Sequence, residues 1–540
     1  GSNQVFHKVI FEDSISTHYL GNNNNFSWVY SKGNLEARSD TLDTLIIDPG
    51  KKLMIYNGVT AVQSLFGFNG TCAKPIFIEG ETSGSPTLHF NPGAISLNYL
   101  STKNINYTGG PWIATNSFDL GNNTGITIIQ PAVSNLYWVG GTGNWSDVNH
   151  WAFTSGGPGG ACLPNARTNV IFDVNSFISA SDTVKIDIND AYCRDFTWLP
   201  GVTGNPLLKE TFAAKNQNLH VYGDFTLAPT MDYDFIGFLW FESDTVGNTI
   251  NTNTVELSSH IYFNNQTGEW SLQNNLATKG NNYFIQNRAG LLKTHGFELN
   301  IHSIRTYFPQ LPNTFRKFNF SDSKIRLYGD WSELQYTDSI NLKADSAHIL
   351  LHGNNRIRFG KTFVSTVEII DTLYEKYISG GHFNKLIIRG NIEQISFATD
   401  SLLLLPGSSY QISNEINQPF DILQYIGANA PCDNPILLYS QESQYGNIEV
   451  APPVTQNINN LHVSEITNHG PSISLPNSFD LGGNSGFTFP ANLGRTLYWV
   501  GNSGSWFNDT CWSLSSGGLG GNCIPTAFDT VIFNQNSFSA

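Results

Sequence analysis

The sequence predicts an all-β chain wound as a parallel β-helix, a solenoid assembled from tandem repeats of about 360 residues. Three observations predict it. The 42 residues 136–177 (LYWVGGTGNWSDVNHWAFTSGGPGGACLPNARTNVIFDVNSF) return at 497–538 without insertion or deletion, 361 positions on. Between the copies, apolar and polar residues alternate in short runs. Gly-Asx pairs punctuate those runs. A chain of 540 residues is long for one compact domain, but a solenoid escapes that bound because each coil packs mainly on its neighbours.

The alternating runs include 218–227 (NLHVYGDFTL), 254–263 (TVELSSHIYF), 296–304 (GFELNIHSI), 323–331 (SKIRLYGDW) and 339–353 (SINLKADSAHILLHG). Period two with Val, Ile, Phe and Tyr predicts strands, and helical periodicity is almost absent. Gly33-Asn34, Gly223-Asp224, Gly329-Asp330, Gly353-Asn354 and Gly390-Asn391 are read as corners, with glycine supplying left-handed backbone and Asx closing the turn. Coils of about 22 residues stacked at the ~4.8 Å strand spacing are expected. The alternative is a string of β-sandwich domains, which would place linkers about every hundred residues.

Further correspondences set the boundaries. Residues 31–50 align with 388–407, and 116–128 with 477–489; the small difference in offset is read as loop insertion. Residues 1–136 are the C-terminal coils of one repeat, 137–497 a complete repeat opening on the Trp/Gly-rich block, and 498–540 the start of the next. Residues 1–25 read as the tail of a preceding coil and Gly1-Ser2 as a cloning scar, so a fragment of a longer protein is expected.

Only 13% of residues are charged, and Asp and Glu outnumber Lys and Arg 43 to 28, for a net charge of −15. That balance argues against a nucleic-acid partner. Apolar runs are far shorter than a bilayer-spanning helix, so no membrane span is expected. Of six cysteines, Cys162 and Cys523 are repeat equivalents, as are Cys72 and Cys432. Disulfides are expected for Cys162–Cys193 and Cys511–Cys523, with Cys72 and Cys432 unassigned.

Each block carries three tryptophans: Trp138, Trp145 and Trp151, then Trp499, Trp506 and Trp512. Aromatic faces stack on sugars, which makes the six candidate ligand-binding residues. A packed joint between repeats is the other role open to them, and the expected one. Acid–base chemistry on a polysaccharide needs carboxylates at fixed separation. Asp147 becomes Asn508 and Asp173 becomes Asn534, while Asp119/Asp480 and Asp43/Asp400 persist but are assigned to turns. No catalytic residues and no enzyme activity are expected. Asp187, Asp190 and Asp195 lack calcium-loop spacing and are read as turn residues, so no metal or other cofactor is expected. His260, His295, His302 and His352 are scattered, none in a nucleophile-elbow context.

The block YWVGGTGNWSDVNHW…P…VIFDVNSF, the coil at 268–301 and the pattern NGTCAKPIFIEG…NSFDLGNNTG (69–125) resemble the repeats of very large surface proteins of Bacteroidota. These include gliding, SprB-type adhesins exported by type IX secretion. The resemblance implies a right-handed β-helical, extracellular, cell-surface segment, tethered through a sorting domain outside this sequence. It implies partners among extracellular surfaces or polysaccharides and neighbouring repeats, with adhesion, attachment or gliding as the role. Carbohydrate binding or carbohydrate-active chemistry is the alternative. Asp-Ser/Thr-apolar triplets also resemble an O-glycosylation motif of exported proteins in that group. Its acceptors here would be Thr41, Thr44, Thr183, Thr245, Ser339, Ser346, Thr372, Ser401 and Thr530; a turn entering a strand explains the same triplets.

Overall fold

The computed structural model describes residues 3–81, 84–91, 93–201, 206–210, 217–280, 282–306, 315–332, 341–353, 355–370, 376–389, 394–412, 419–441, 446–491 and 494–538. Among them the chain is all-β, with short 3-10 turns and no α-helix. The described ladders are parallel, with one exception repeated in both copies of the tryptophan block. There Trp138 pairs antiparallel with Trp151, and Trp499 with Trp512. The chain divides into two compact units, one running to Trp270 and one taking up from Ser271.

In the first unit, successive strands fall alternately into two parallel sheets. One contains Asn25–Ser31, Thr41–Ile47, Val59–Gly67, Thr87–Phe90 and Asn106–Gly109; the other contains Asn34–Ala37, Lys52–Ile55, Ile76–Gly80 and Leu100–Lys103. A third sheet, of Ile95–Asn98, Trp112–Thr115 and Ile126–Ile129, joins further along. Each strand pairs with a strand one circuit later, as Asn25 with Thr41, Thr41 with Ala61 and Thr87 with Asn106. These registers are 16, 20 and 19 residues apart, shorter than the expected 22. The alternation does the work the sequence assigned to it. Leu35, Ala37, Leu53, Ile55, Ile76 and Ile78 are buried in one core, while Glu36, Met54 and Phe77 face outward, half-buried. Each fully buried Leu or Ile contributes about 1.5–3 kcal/mol.

A second stack follows in the same unit. It has three ladders visited in turn: Gly143–Asn144 with Thr183–Ile186, Leu207–Glu210 and Asp232–Asp234; Thr168–Phe172 with Phe196–Trp198, Phe225–Thr226 and Asn248–Asn251; and Asp190–Cys193 with Asn218–Val221 and Phe238–Phe241. The two stacks lie side by side. Lys52 meets Asp190, and two strands further along each stack Lys103 meets Glu242, so both stacks advance in the same direction.

The second unit carries long strands that turn corners within themselves. Asn355–Ile369 pairs with Lys376–Ile388 through two register shifts, around Gly360. Beside this ladder run Ser409–Gln411, Ile436–Tyr439 and Leu461–Ser464 in a three-stranded parallel sheet. The second tryptophan block closes the described chain with its own small core of Leu497, Trp499, Cys511 and Trp512.

Two local readings change. The glycines of the Gly-Asx corners at 33, 223 and 329 do not adopt positive φ. They are needed because a Cβ would collide with neighbouring segments: with the Ser16 carbonyl at Gly33, the Asp195 carboxylate at Gly223 and the His302 ring at Gly329. Gly353 does take positive φ, at 71°, while Asn354 and the Gly390-Asn391 corner lie outside the described residues. Asp43 and Asp400 are not turn residues. They sit inside the strands Thr41–Ile47 and Gln394–Leu404, where the pairing register shifts, and a bulge lets a polar residue sit among apolar neighbours. Asp119 and Asp480 do make turns, each accepting the N–H two residues on, from Gly121 and Gly482 at 2.8 and 2.9 Å.

Candidate functional site: the junction between strand stacks

The cysteines show where the repeats are fastened. Cys72 is bonded to Cys162 and Cys432 to Cys523, with Cα atoms 4.9 and 5.4 Å apart. These replace the expected pairings Cys162–Cys193 and Cys511–Cys523. The two bonds are repeat equivalents, spanning 90 and 91 residues. Each ties a loop late in one set of parallel strands to the tryptophan block that follows. Cys193 and Cys511 are buried free thiols. Cys193 points into its own core, where burial pushes its thiol up. Cys511 occupies the place of His150: the His150 ring packs against Gly140 and Gly143, and the Cys511 sulfur against Gly501 and Gly504.

The tryptophans form the wall of this joint. Trp138 stacks on His150 at 4.8 Å and meets Trp151 edge-on at 5.0 Å, and Trp145 meets Trp151 at 4.9 Å. Two of the indole N–H groups pin the turns: Trp138 Nε1 donates to Gly141 O at 2.7 Å, and Trp151 Nε1 to Trp145 O at 2.8 Å. Trp499–Trp512 and Trp506–Trp512 repeat the geometry at 4.9 and 4.8 Å. Trp138, Trp145, Trp151 and Trp512 are fully enclosed and Trp499 nearly so, leaving no face for a sugar; Trp506 alone is exposed, at 43%.

Between the two stacks of the first unit lies a seam of half-buried charge, fully buried at Glu242, that the sequence did not reveal as a group. Lys52 Nζ lies 3.0 Å from both Glu79 and Asp190. Asp190 also accepts from Asn218 Nδ2 at 2.7 Å and approaches His220 Nε2 at 3.4 Å. His220 Nδ1 reaches Glu242 at 2.8 Å; Glu242 in turn takes Lys103 at 2.7 Å, Asn264 at 2.8 Å and the Tyr222 hydroxyl at 3.1 Å. Phe77, Tyr192, His220, Trp240 and Tyr262 stack in series across the seam. Burial alone would push the Asp190 and Glu242 carboxyls up. Lys52 outweighs it at Asp190, Lys103 and His220 outweigh it at Glu242, and both are held well below the carboxylate range. Burial opposes charge on His220 as well, yet Glu242 and Asp190 raise it to about 9. The imidazolium thus donates from both nitrogens. Removing the partners of Glu242, the fully buried member, would strand its charge, at a cost of about 3–5 kcal/mol. The available signal was faint: His220 and Trp240 are paired outward positions on neighbouring strands, where alternation predicts only a polar face.

Next to the seam and the Cys72–Cys162 bond opens a cleft of about 820 Å³, walled by Lys51, Lys74 and Phe77 from the first stack and by Ser146, Asp187 and Tyr192 from the second. Asp187 is oriented by Ser146, whose N–H and hydroxyl donate to it at 2.9 and 2.5 Å. Asp190 and Asp195 have separate partners, Asp195 accepting the Asp224 N–H at 3.0 Å. Among the described residues no group of three His, Cys, Asp or Glu side chains has the geometry to hold a metal ion.

The candidate acceptor hydroxyls are dispersed. Thr41, Thr44, Thr183 and Ser401 are half-buried on strands, whereas Thr245, Ser346 and Thr530 are exposed. The Ser346 hydroxyl accepts the Asp322 N–H at 2.9 Å. Ser339 and Thr372 lie outside the described residues. In most of the described triplets the apolar residue faces inward, as Leu42, Leu45, Val184, Ala347 and Leu402 do; Val246 is exposed instead, at 71%. No described helix is long and apolar enough to cross a membrane. Comparison with family models, curated proteins and solved structures finds no match to this chain.

Proposed function

We propose that this chain is a segment of a non-enzymatic, extracellular adhesin or filament of the cell surface. Its strand stacks are read as coils of right-handed parallel β-helices joined in tandem. The observation that carries the reading is the pair of repeat-equivalent disulfides. A bond conserved in place from one copy to the next belongs to a unit meant to be repeated, and structural disulfides persist in oxidising compartments. Further support comes from the enclosed tryptophans, which act as joint rather than platform, and from the resemblance of the block to surface-adhesin repeats. In such an array each contact with a surface is weak, and attachment grows with the number of repeats engaged.

The test is retention under flow of beads coated with the oxidised chain on glass and on polysaccharide films, at graded coating density, with small-angle scattering on the same preparation. Retention that rises steeply with density, together with elongated scattering, is expected. Density-independent retention, no retention, or a globular particle would overturn the reading.

A further inference from the structure

We propose that the cleft beside the Cys72–Cys162 bond binds an acidic saccharide, its carboxylate held by Lys51 and Lys74 and its hydroxyls by the wall of Ser146 and Asp187. This goes beyond the adhesin reading and does not depend on it. The cleft, about 820 Å³, lies within the ~300–1,000 Å³ range of small-molecule sites.

Its two walls differ in chemistry. On one, the turns carrying Lys51 and Lys74 touch: Gly50 has φ +82°, and a Cβ there would stand 3.3 Å from Lys74 Cβ. Both turns are fixed. Lys74 follows Cys72 by two residues, and its N–H is held by the Thr71 carbonyl at 3.0 Å. Lys51 Nζ donates to the Ser14 carbonyl at 2.8 Å, which leaves two of its three N–H groups for a ligand. Among the described residues neither ammonium has a carboxylate within ion-pair distance. Lys52, by contrast, is taken up by Glu79 and Asp190. On the other wall the Asp187 carboxylate, oriented by Ser146, retains lone pairs that accept sugar hydroxyls and repel an acid group. A ligand that satisfies both walls carries negative charge at one end and hydroxyls at the other. A neutral sugar misses the lysines, and a simple anion uses them alone.

The second junction supplies an internal control. Gly407 meets Asn434 as Gly50 meets Lys74, but Ser408 stands in place of Lys51 and Asn434 in place of Lys74. One site per chain follows. The experiment is calorimetric titration of the intact oxidised chain at low salt, where charge contacts are least screened. The probes are tri-galacturonate, a neutral trisaccharide and inorganic phosphate. Lys51→Ser/Lys74→Asn is the variant, because those residues already fit the same turns elsewhere in the chain, and peptide mapping confirms that Cys72–Cys162 is intact. One tri-galacturonate per chain, weakened about tenfold or more in the variant, is expected. Equal binding of the neutral sugar, phosphate binding as tight as tri-galacturonate, two sites per chain, no change in the variant, or no binding would each overturn the proposal.

Discussion

The two junctions share a frame and differ in what fills it. Both have the disulfide, the antiparallel tryptophan hairpin and an apolar contact made by an equivalent phenylalanine: Phe118 in a cluster with Tyr192 and Ala166, and Phe479 stacked at 4.6 Å on Phe528, which stands where the first copy has Arg167. The charged seam belongs to the first alone. Lys52, Glu79 and Lys103 are replaced by Ser409, Tyr439 and Ser464. The second junction instead carries a bidentate Arg495–Asp529 pair, at 3.1 and 2.6 Å, where the first has Ser134 and Thr168. Covalent and apolar elements thus fix where one set of strands meets the next block, and polar elements make each meeting individual. Buried ion pairs add little net stability, but a mismatched partner leaves a charge unpaired, so they discriminate between surfaces.

Within the 540 residues the blocks are covered differently, because the stretch that covers the first, 183–198, has its repeat counterpart 361 positions on, at 544–559, beyond residue 540. Trp145 and Phe172 are fully buried, whereas their equivalents Trp506 and Phe533 are 43% and 51% exposed. In the first copy, Thr183–Ile186 lies alongside, with the Lys185 carbonyl accepting from Trp145 N–H at 2.7 Å, and Trp198 stacks on Phe172 at 4.4 Å. The sharpest test of the comparison follows. Trp145→Ala should destabilise its unit by about 3–5 kcal/mol, and Trp506→Ala by about 1 kcal/mol, because less apolar area is lost from a half-open site. Denaturant titration of the intact chain reads both. Equal losses would mean that the two blocks are equally enclosed in solution.

Glu242→Gln should cost about 3 kcal/mol in the first unit, since Lys103 and His220 lose a buried counter-charge. Tyr439→Phe, in the second junction, should be nearly neutral. A Glu242→Gln variant as stable as the parent would remove the seam from the account of the first junction. Replacing both cysteines of either disulfide with serine should cost about 2–4 kcal/mol. The losses should be similar, because the closed loops are 90 and 91 residues long. Strongly unequal losses would break the equivalence of the two frames.

Most of the frame was legible in the sequence, because repetition and period-two alternation are local signals. The blocks, the strands and the inward apolar positions follow from them. The disulfide partners were not legible. Cys72 and Cys162 are 90 residues apart and meet because two stacks lie side by side, a relation that no local pattern encodes. Cys511 was misread for the opposite reason. It is near Cys523 in sequence, but its side chain turns inward beside Trp499 as His150 does beside Trp138. The seam escaped because its six charged members come from separate segments of both stacks and look one by one like ordinary outward polar residues. The corner glycines were found, but at 33, 223 and 329 their cause is crowding against neighbouring chain segments rather than backbone handedness, which holds at Gly353.

The smallest expected effect separates the junctions by pH. His220 titrates near 9 when folded, against about 6.5 in an unfolded chain. A group whose pKa is raised on folding stabilises fully below its unfolded value, and that contribution fades as pH climbs through the folded one. The first unit should therefore lose about 1–3 kcal/mol between pH 6.5 and 9. Asp190 and Glu242, held low by Lys52, Lys103 and His220, act in the opposite sense. They stabilise above the ordinary carboxylate range and fail only in strong acid, so the seam is tightest in mildly acidic to neutral solution. Asp529 is lowered to about 2 and keeps its charge between pH 6.5 and 9, so the Arg495–Asp529 contact should be flat across that window. Thermal unfolding of the parent and of His220→Gln at pH 6, 7.5 and 9 reads the difference. The parent should lose several degrees in its first-unit transition, and His220→Gln should start lower and stay level. A parent curve that is flat in both units would show that His220 is neutral in the seam, and that Lys52 and Lys103 alone balance its acids.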